Sequence, residues 1–276
     1  MKNKKYIFLI VICLVFISCN EDPPVATSNE PLGFTSVGTP AQSLTEFESV
    51  LERIRTDLKI PGFSAAITKN RKIVWAKGFG LSNKERGINA TPETVYHLAS
   101  LTKPFAATII MQLIEENKLT LETPISDYGI DLGTHGVIRV KHLLSHTSEG
   151  VPGSHYNYSG NRYGYLDAVI SGASGKTFCQ LLNEKIILPL NLILTAPNPF
   201  SPDNCLQNNQ VIGQLAQGYT PNGQNPMFYP TYFGSSAGLV SNVLDMAKFS
   251  IALDNDLLLT AESKELMFTP TISNSG

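Results

Sequence analysis

The residues best placed to do chemistry are Ser100-Leu101-Thr102-Lys103. A serine hydroxyl is a weak nucleophile until a neighbouring base takes its proton. At the start of a helix, positions i and i+3 share a face, so Lys103 can reach the Ser100 hydroxyl and serve as that base. The motif is short, and with 23 Ser and 15 Lys in the chain it is no rarer than chance. Its setting adds weight, because it stands where a loop at 95–99 turns into an apolar helix. There the backbone N–H of Ser100 points out of the helix N-terminus, where it can help hold an oxyanion. The competing reading makes Ser100 a plain N-cap.

Three other constellations carry less. Gly234-Ser235-Ser236-Ala237-Gly238 matches a G-x-S-x-G nucleophile elbow. That arrangement wants its histidine after the serine, whereas His97, His135, His142, His146 and His155 all precede Ser236. A glycine-rich loop is the better reading. Gly175-Lys176-Thr177 looks like the end of a phosphate loop, but Ile170 stands where the first glycine belongs. Without that backbone cradle, a glycine helix end is expected. His142 and His146 are spaced i,i+4 and could bind zinc from one helix face. They lack the intervening Glu and an obvious third ligand, so no metal and no organic cofactor is expected.

These residues need a scaffold. Ser43 and Glu46 form an S-x-x-E capping box, and Leu44, Phe47, Leu51, Ile54 and Leu58 recur at helical spacing before Pro61-Gly62. Two strand-like runs, 63–69 and 72–79, are joined by Asn70-Arg71 and predict a hairpin. From Ser100 the pattern is helical to about Glu116, with Pro104 tolerated in the first turn. Further helices are predicted near 139–145, 162–171, 177–187, 243–253 and 261–268. One antiparallel hairpin followed mostly by helix makes the fold class α+β rather than alternating βαβ.

The 276 residues are 42% hydrophobic and 16% charged, with a formal net charge of −2. Such a chain can bury a sizeable core, and no basic surplus points to a nucleic-acid partner. The start, MKNKK, is followed by an apolar stretch from Tyr6 to Ile17 and then Ser18-Cys19. A basic segment with a short apolar run reads as a signal peptide over residues 1–19. Residues 16–19 resemble a bacterial lipobox, whose cysteine, here Cys19, would carry a lipid anchor. Residues 20–43, rich in Pro, Ser, Thr and Gly, read as a flexible linker. The expectation is an exported, monomeric protein of the cell envelope, tethered to a membrane through Cys19. Cys179 and Cys205 are then the candidate disulfide pair in the mature domain, and two free thiols remain the alternative.

Downstream of Ser100 lies Tyr156-Asn157-Tyr158-Ser159-Gly160-Asn161-Arg162-Tyr163. With "PGFSAAITKNRKIVWAKGFG", "YHLASLTKPFAATIIMQLIEENKLTLETPISDY", "IRVKHLLSHTSEG" and "GSSAGLVSNVLDMAKFSIAL", the chain resembles the class C β-lactamase and D-alanyl-D-alanine carboxypeptidase superfamily, the beta-lactamase-related serine hydrolases. The blocks stand in family order over most of residues 44–268. The class A branch fits worse, since the nearest triplet to its Ser-Asp-Asn is Ser126-Asp127-Tyr128.

The resemblance implies a β-lactamase/transpeptidase-like fold over 44–276, an antiparallel sheet flanked by helices plus an all-helical region. It implies Ser100 as nucleophile, Lys103 as its lysine and Tyr158 as the motif tyrosine, with Tyr156 the competitor in register. Asn161, beside the Gly160 that replaces the motif asparagine, is the expected substrate-binding residue. Glu149 departs from the usual glycine. The Tyr-Ser-Gly form favours ester or peptide substrates over β-lactams. No Lys-Thr-Gly or His-x-Gly follows, so the chain reads as incomplete, with C-terminal strands missing. The implied activity is a serine hydrolase working through an acyl-enzyme on an ester, amide or peptide. The alternative is an inactive module that binds peptidoglycan or peptides.

Overall fold

A computed structural model describes residues 40–271 apart from Thr134, Gln207 and Asn222. The expected signal peptide, Cys19 and nearly all of the linker lie outside the described residues. The chain divides into two compact units, residues 40–94 with 216–228, and residues 95–215 with 229–271.

In the first unit, helix α1 (Pro40–Asp57) starts earlier than the capping box placed it, so Ser43 lies inside the helix rather than at its cap. Proline is pre-organised for a first helical turn, and Pro40 takes that place. Leu51 packs on the cluster of Phe63 and Phe79, while Phe47 meets Trp75 edge-on at 5.4 Å. Ile54 and Leu58, at the end of the apolar stripe, are exposed. The helix stops at a left-handed Lys59 (φ 56°), and the Arg55 guanidinium donates to the Ile60 carbonyl at 2.9 Å.

Strands β1 (Gly62–Lys69) and β2 (Lys72–Asn83) pair antiparallel as expected. The turn residues Asn70 and Arg71 both have positive φ, 51° and 60°, which suits the twist of a two-residue hairpin. Phe63 and Phe79 are register partners, and their rings stack at 4.9 Å. A third strand, β3 (Ile88–Asn89), pairs with β2. It is too short for alternation to reveal it. Gly78 permits a close crossing, since a Cβ there would lie 2.0 Å from the Ala90 carbonyl oxygen.

The second unit runs β4 (Tyr96–Ala99), a 3₁₀ turn (Ser100–Thr102), α2 (Lys103–Glu115), α3 (Val140–Leu144), α4 (Gly160–Gly164), α5 (Leu166–Ser174), α6 (Phe178–Leu182), β5 (Ala196–Pro197), α7 (Asn209–Gln214), β6 (Leu239–Ser241), α8 (Val243–Asp254) and α9 (Ala261–Phe268). Helix α2 is its axis. Phe105, Ile109, Ile110 and Leu113 are fully buried, and α5, α6 and α9 pack against the helix. Each such side chain contributes about 1.5–3 kcal/mol through burial. Phe105 also stacks on Phe249 of α8 at 4.0 Å.

The sheet of this unit has the order β4-β6-β5, all antiparallel. The predicted helix 162–171 is two helices that meet at Tyr165, and 177–187 is α6 followed by a π-helical turn, Asn183–Ile187. Gly175 (φ 71°) ends α5 in the left-handed conformation, and Thr177 caps α6 by accepting from the Gln180 N–H. Cys179 of α6 is disulfide-bonded to Cys205, with Cα atoms 6.0 Å apart.

His97 on β4 pairs in register with Val240. Its ring lies 5.8 Å from Tyr229, and neither ring nitrogen meets a hydrogen-bond partner among the described residues. Burial lowers this imidazole to about 4. As pH falls below 6.5 the unfolded chain takes up a proton that the folded chain refuses until about pH 4, so stability drops through that window. The deficit at pH 4.5 is about 2–3 kcal/mol. Denaturant titrations at pH 7 and 4.5 should therefore show a smaller acid loss in His97→Leu than in the parent. Equal losses would contradict the assignment.

Candidate active site

The site begins at the end of β4. The sheet fixes Ala99, whose backbone then takes φ 47° and ψ −125°, an unusual conformation for a residue with a Cβ. That turn swings Ser100 clear of the strand and starts the 3₁₀ segment. The Thr102 hydroxyl braces it, donating to the Ala99 carbonyl at 2.7 Å and accepting from the Leu239 N–H of β6 at 3.0 Å. Lys103 opens α2 and is buried.

The Lys103 ammonium donates to Ser100 Oγ at 3.0 Å and to the Ser236 carbonyl at 2.7 Å. It also lies 5.1 Å from the Tyr158 ring centre and 5.2 Å from that of Tyr163. The Tyr158 hydroxyl is 2.6 Å from Ser100 Oγ. Ser100, Lys103 and Tyr158, separate in sequence, therefore meet at one oxygen atom. Tyr156, the competing tyrosine, is exposed and meets His146 edge-on at 5.9 Å.

The two tyrosines beside Lys103 titrate in opposite directions. Burial acts to raise the Tyr158 phenol, but hydrogen bonding with Lys103 and Ser100, and the lysine's charge, outweigh it and bring it below the ordinary phenol range. Tyr163 is buried, which pushes its phenol far upward. It stays a donor and binds the Lys103 carbonyl at 3.0 Å. One tyrosine is thus suited to exchange a proton with Ser100, and the other to hold the start of α2 in place.

The loop that presents Tyr158 is pinned by His146. The His146 carbonyl accepts from the Asn157 N–H at 2.8 Å, and its Nδ1 accepts from the Ser159 N–H at 3.3 Å. Its ring lies 4.5 Å from that of Tyr158. Burial and the Lys103 charge lower its imidazole, which keeps Nδ1 free to accept. Glu149 accepts from the Asn157 side chain and lies 3.8 Å from Arg162, tying the same loop to α4. His142 Nδ1 accepts from the Arg139 N–H at 3.1 Å. Helix α3 ends at Leu144, so His142 and His146 do not share a helix face.

A cavity of about 690 Å³ opens on Ser100 and Lys103. Tyr158, Asn161, Tyr165, Tyr232 and Ser236 line it, so Asn161 does face the same space as the serine. The sequence patterns do not point to Tyr232, Tyr163 or the Ser236 carbonyl. Tyr232 Oη lies 3.0 Å from Ser236 Oγ. The glycine-rich loop 234–238 contributes a backbone carbonyl, a role that no side-chain motif could announce.

The Beta-lactamase family pattern matches residues 47–275. Protein flp of Staphylococcus aureus strain MW2 is 26% identical over 223 residues, 67% of this chain and 44% of that protein. The chain thus spans less than half the length of that curated relative. Among solved structures, the octameric penicillin-binding protein homologue from Pyrococcus abyssi superposes with a TM-score of 0.75 at 27% identity, over 84% of this chain and 61% of that one. EstCE1, described as a hydrolase with promiscuous acyltransferase activity, superposes at 0.68 with 21% identity, over 84% of this chain and 78% of that one. With a family match over most of its length and the β-lactamase/transpeptidase-like fold that these neighbours share, the chain belongs to the beta-lactamase family.

Proposed function

We propose that the protein is a serine hydrolase that transfers acyl groups from an ester, amide or peptide through a covalent intermediate on Ser100. The observation that carries this reading is the convergence of Tyr158 Oη at 2.6 Å and Lys103 Nζ at 3.0 Å on Ser100 Oγ. Tyr158, as phenolate, takes the Ser100 proton while Ser100 Oγ bonds to the substrate carbonyl carbon. Lys103 holds the phenolate and the serine oxygen in register and balances the negative charge. The tetrahedral intermediate collapses, the bond to the leaving group breaks, and Tyr158 returns the proton to that group. Water then enters by the same route in reverse and releases the acid. A positioned acid–base group contributes roughly 10²–10⁴-fold to such a step.

Substitution tests this reading. Ser100→Ala should abolish turnover of a chromogenic ester and labelling by a fluorophosphonate while the fold is retained. Lys103→Ala and Tyr158→Phe should each lose about 10²-fold or more, and the double variant little further, because the groups act as one unit. Full activity in Ser100→Ala would overturn the assignment. An unlabelled Ser100 in the folded parent would favour the inactive binding module instead.

The N-terminal residues support a second proposal, that the protein is exported and anchored to a membrane through Cys19. Its support is the lysine-rich start, the short apolar stretch and Ser18-Cys19. Labelled palmitate fed to cells expressing the chain should mark the protein, and Cys19→Ala should remove the mark. Equal labelling of both would rule out Cys19 as the attachment point.

A further inference from the structure

One partly buried acid near the cavity has no part in the proton transfers above. Asp167 stands in the first turn of α5, and its Oδ1 accepts from the Ser235 backbone N–H at 2.9 Å. Its Oδ2 lies under Gly234, where a Cβ would come within 2.7 Å of it and within 2.5 Å of the Tyr232 hydroxyl oxygen. Only a glycine lets the loop settle this closely on the carboxylate. Ser235 is fully buried, and its hydroxyl lies 3.3 Å from the Tyr163 carbonyl oxygen and 3.5 Å from that of Gly164. The next residue, Ser236, presents the carbonyl to which Lys103 donates at 2.7 Å.

We propose that Asp167 is a positioning residue for Lys103: by holding the Ser235 N–H it fixes the Ser236 carbonyl, and through it the lysine, against Ser100. The connected path is Asp167 Oδ1, the Ser235 N–H, the Ser236 carbonyl, Lys103 Nζ and Ser100 Oγ. A lysine has three donors on a flexible stem and takes its direction from its acceptors. With Ser236 O displaced, Lys103 loses the contact that aims it, and a shift of about 1 Å in such a group costs about 10²-fold in rate. The carboxyl is held partly out of water at a cost. Burial, with the nearby Asp203 charge, raises it to about 6 although the Ser235 contacts act against that. A side chain kept where it is poorly solvated is more readily explained by a duty at the site than by stability alone.

The proposal rests on the serine-hydrolase reading, and two measurements on the full chain separate them. The first is the rate of Ser100 labelling by a fluorophosphonate; the second is hydrogen exchange of the segment 234–238, which needs no reactivity. Asp167→Asn keeps an oxygen acceptor in place and should label within about threefold of the parent, whereas Asp167→Ala should label at least tenfold more slowly. Exchange at 234–238 should speed up in the alanine variant and not in the asparagine one. Asp167→Glu, which keeps the charge but shifts it by one methylene, should be slow, and it serves if the alanine variant does not fold. A parent that leaves Ser100 unlabelled would defeat the hydrolase reading, while the exchange data would still report on the clamp. Parent-like exchange and labelling in the alanine variant would overturn the proposal. So would a slow Asn variant beside a fast Glu variant, because charge rather than position would then matter.

Discussion

A single buried ammonium organises the second unit. Lys103 sits at the first turn of a helix whose other buried residues are mostly apolar. Removing such a charge from water costs several kcal/mol unless its donors are satisfied. The satisfaction comes from the Ser236 carbonyl and Ser100 Oγ, with the faces of Tyr158 and Tyr163 beside it. Each of these comes from a different stretch of chain, so the lysine draws a strand end, a tyrosine loop, a short helix and a glycine-rich loop to one point. The same charge then helps lower the Tyr158 phenol, whose hydroxyl lies 2.6 Å from Ser100 Oγ.

The surrounding fold makes that point rigid. Helix α2 is locked by Phe105, Ile109, Ile110 and Leu113 against its neighbours, so Lys103 cannot shift along the helix axis without disturbing the core. The turn at Ala99 carries a backbone conformation that costs of order 1–3 kcal/mol. The Thr102 hydroxyl holds it there by joining Ala99 to Leu239 of β6. Strain next to the serine is tolerated because the β4–β6 pairing on one side and α2 on the other leave the turn no alternative path.

Much of this arrangement is legible in the amino-acid sequence. The hairpin shows itself through Asn70-Arg71, and helix α2 through its apolar run, because local rules of turn chemistry and periodicity govern both. Ser100 and Lys103 are visible together since i,i+3 spacing puts them on one face. Tyr158 can be chosen over Tyr156 only through the resemblance to a family, as nothing local distinguishes two exposed tyrosines two residues apart. Strands β3, β5 and β6 are two or three residues long, too short to hold a period. The helix start at Pro40 is masked by a plausible capping box at Ser43. The Ser236 carbonyl is a backbone atom, and the Asp167 carboxylate meets the Ser235 N–H only through long-range packing, so neither contact carries a signature in residue type.

In the proposed mechanism the Lys103 charge holds Tyr158 ready to accept the Ser100 proton. Ultraviolet difference titration of tyrosinate absorbance, comparing the parent with Tyr158→Phe and Lys103→Met, tests it directly. One phenol should ionise below the ordinary range in the parent, be missing in Tyr158→Phe and move upward in Lys103→Met. A parent whose tyrosines all titrate at or above the ordinary range, or a low-titrating phenol unmoved by Lys103→Met, would contradict it.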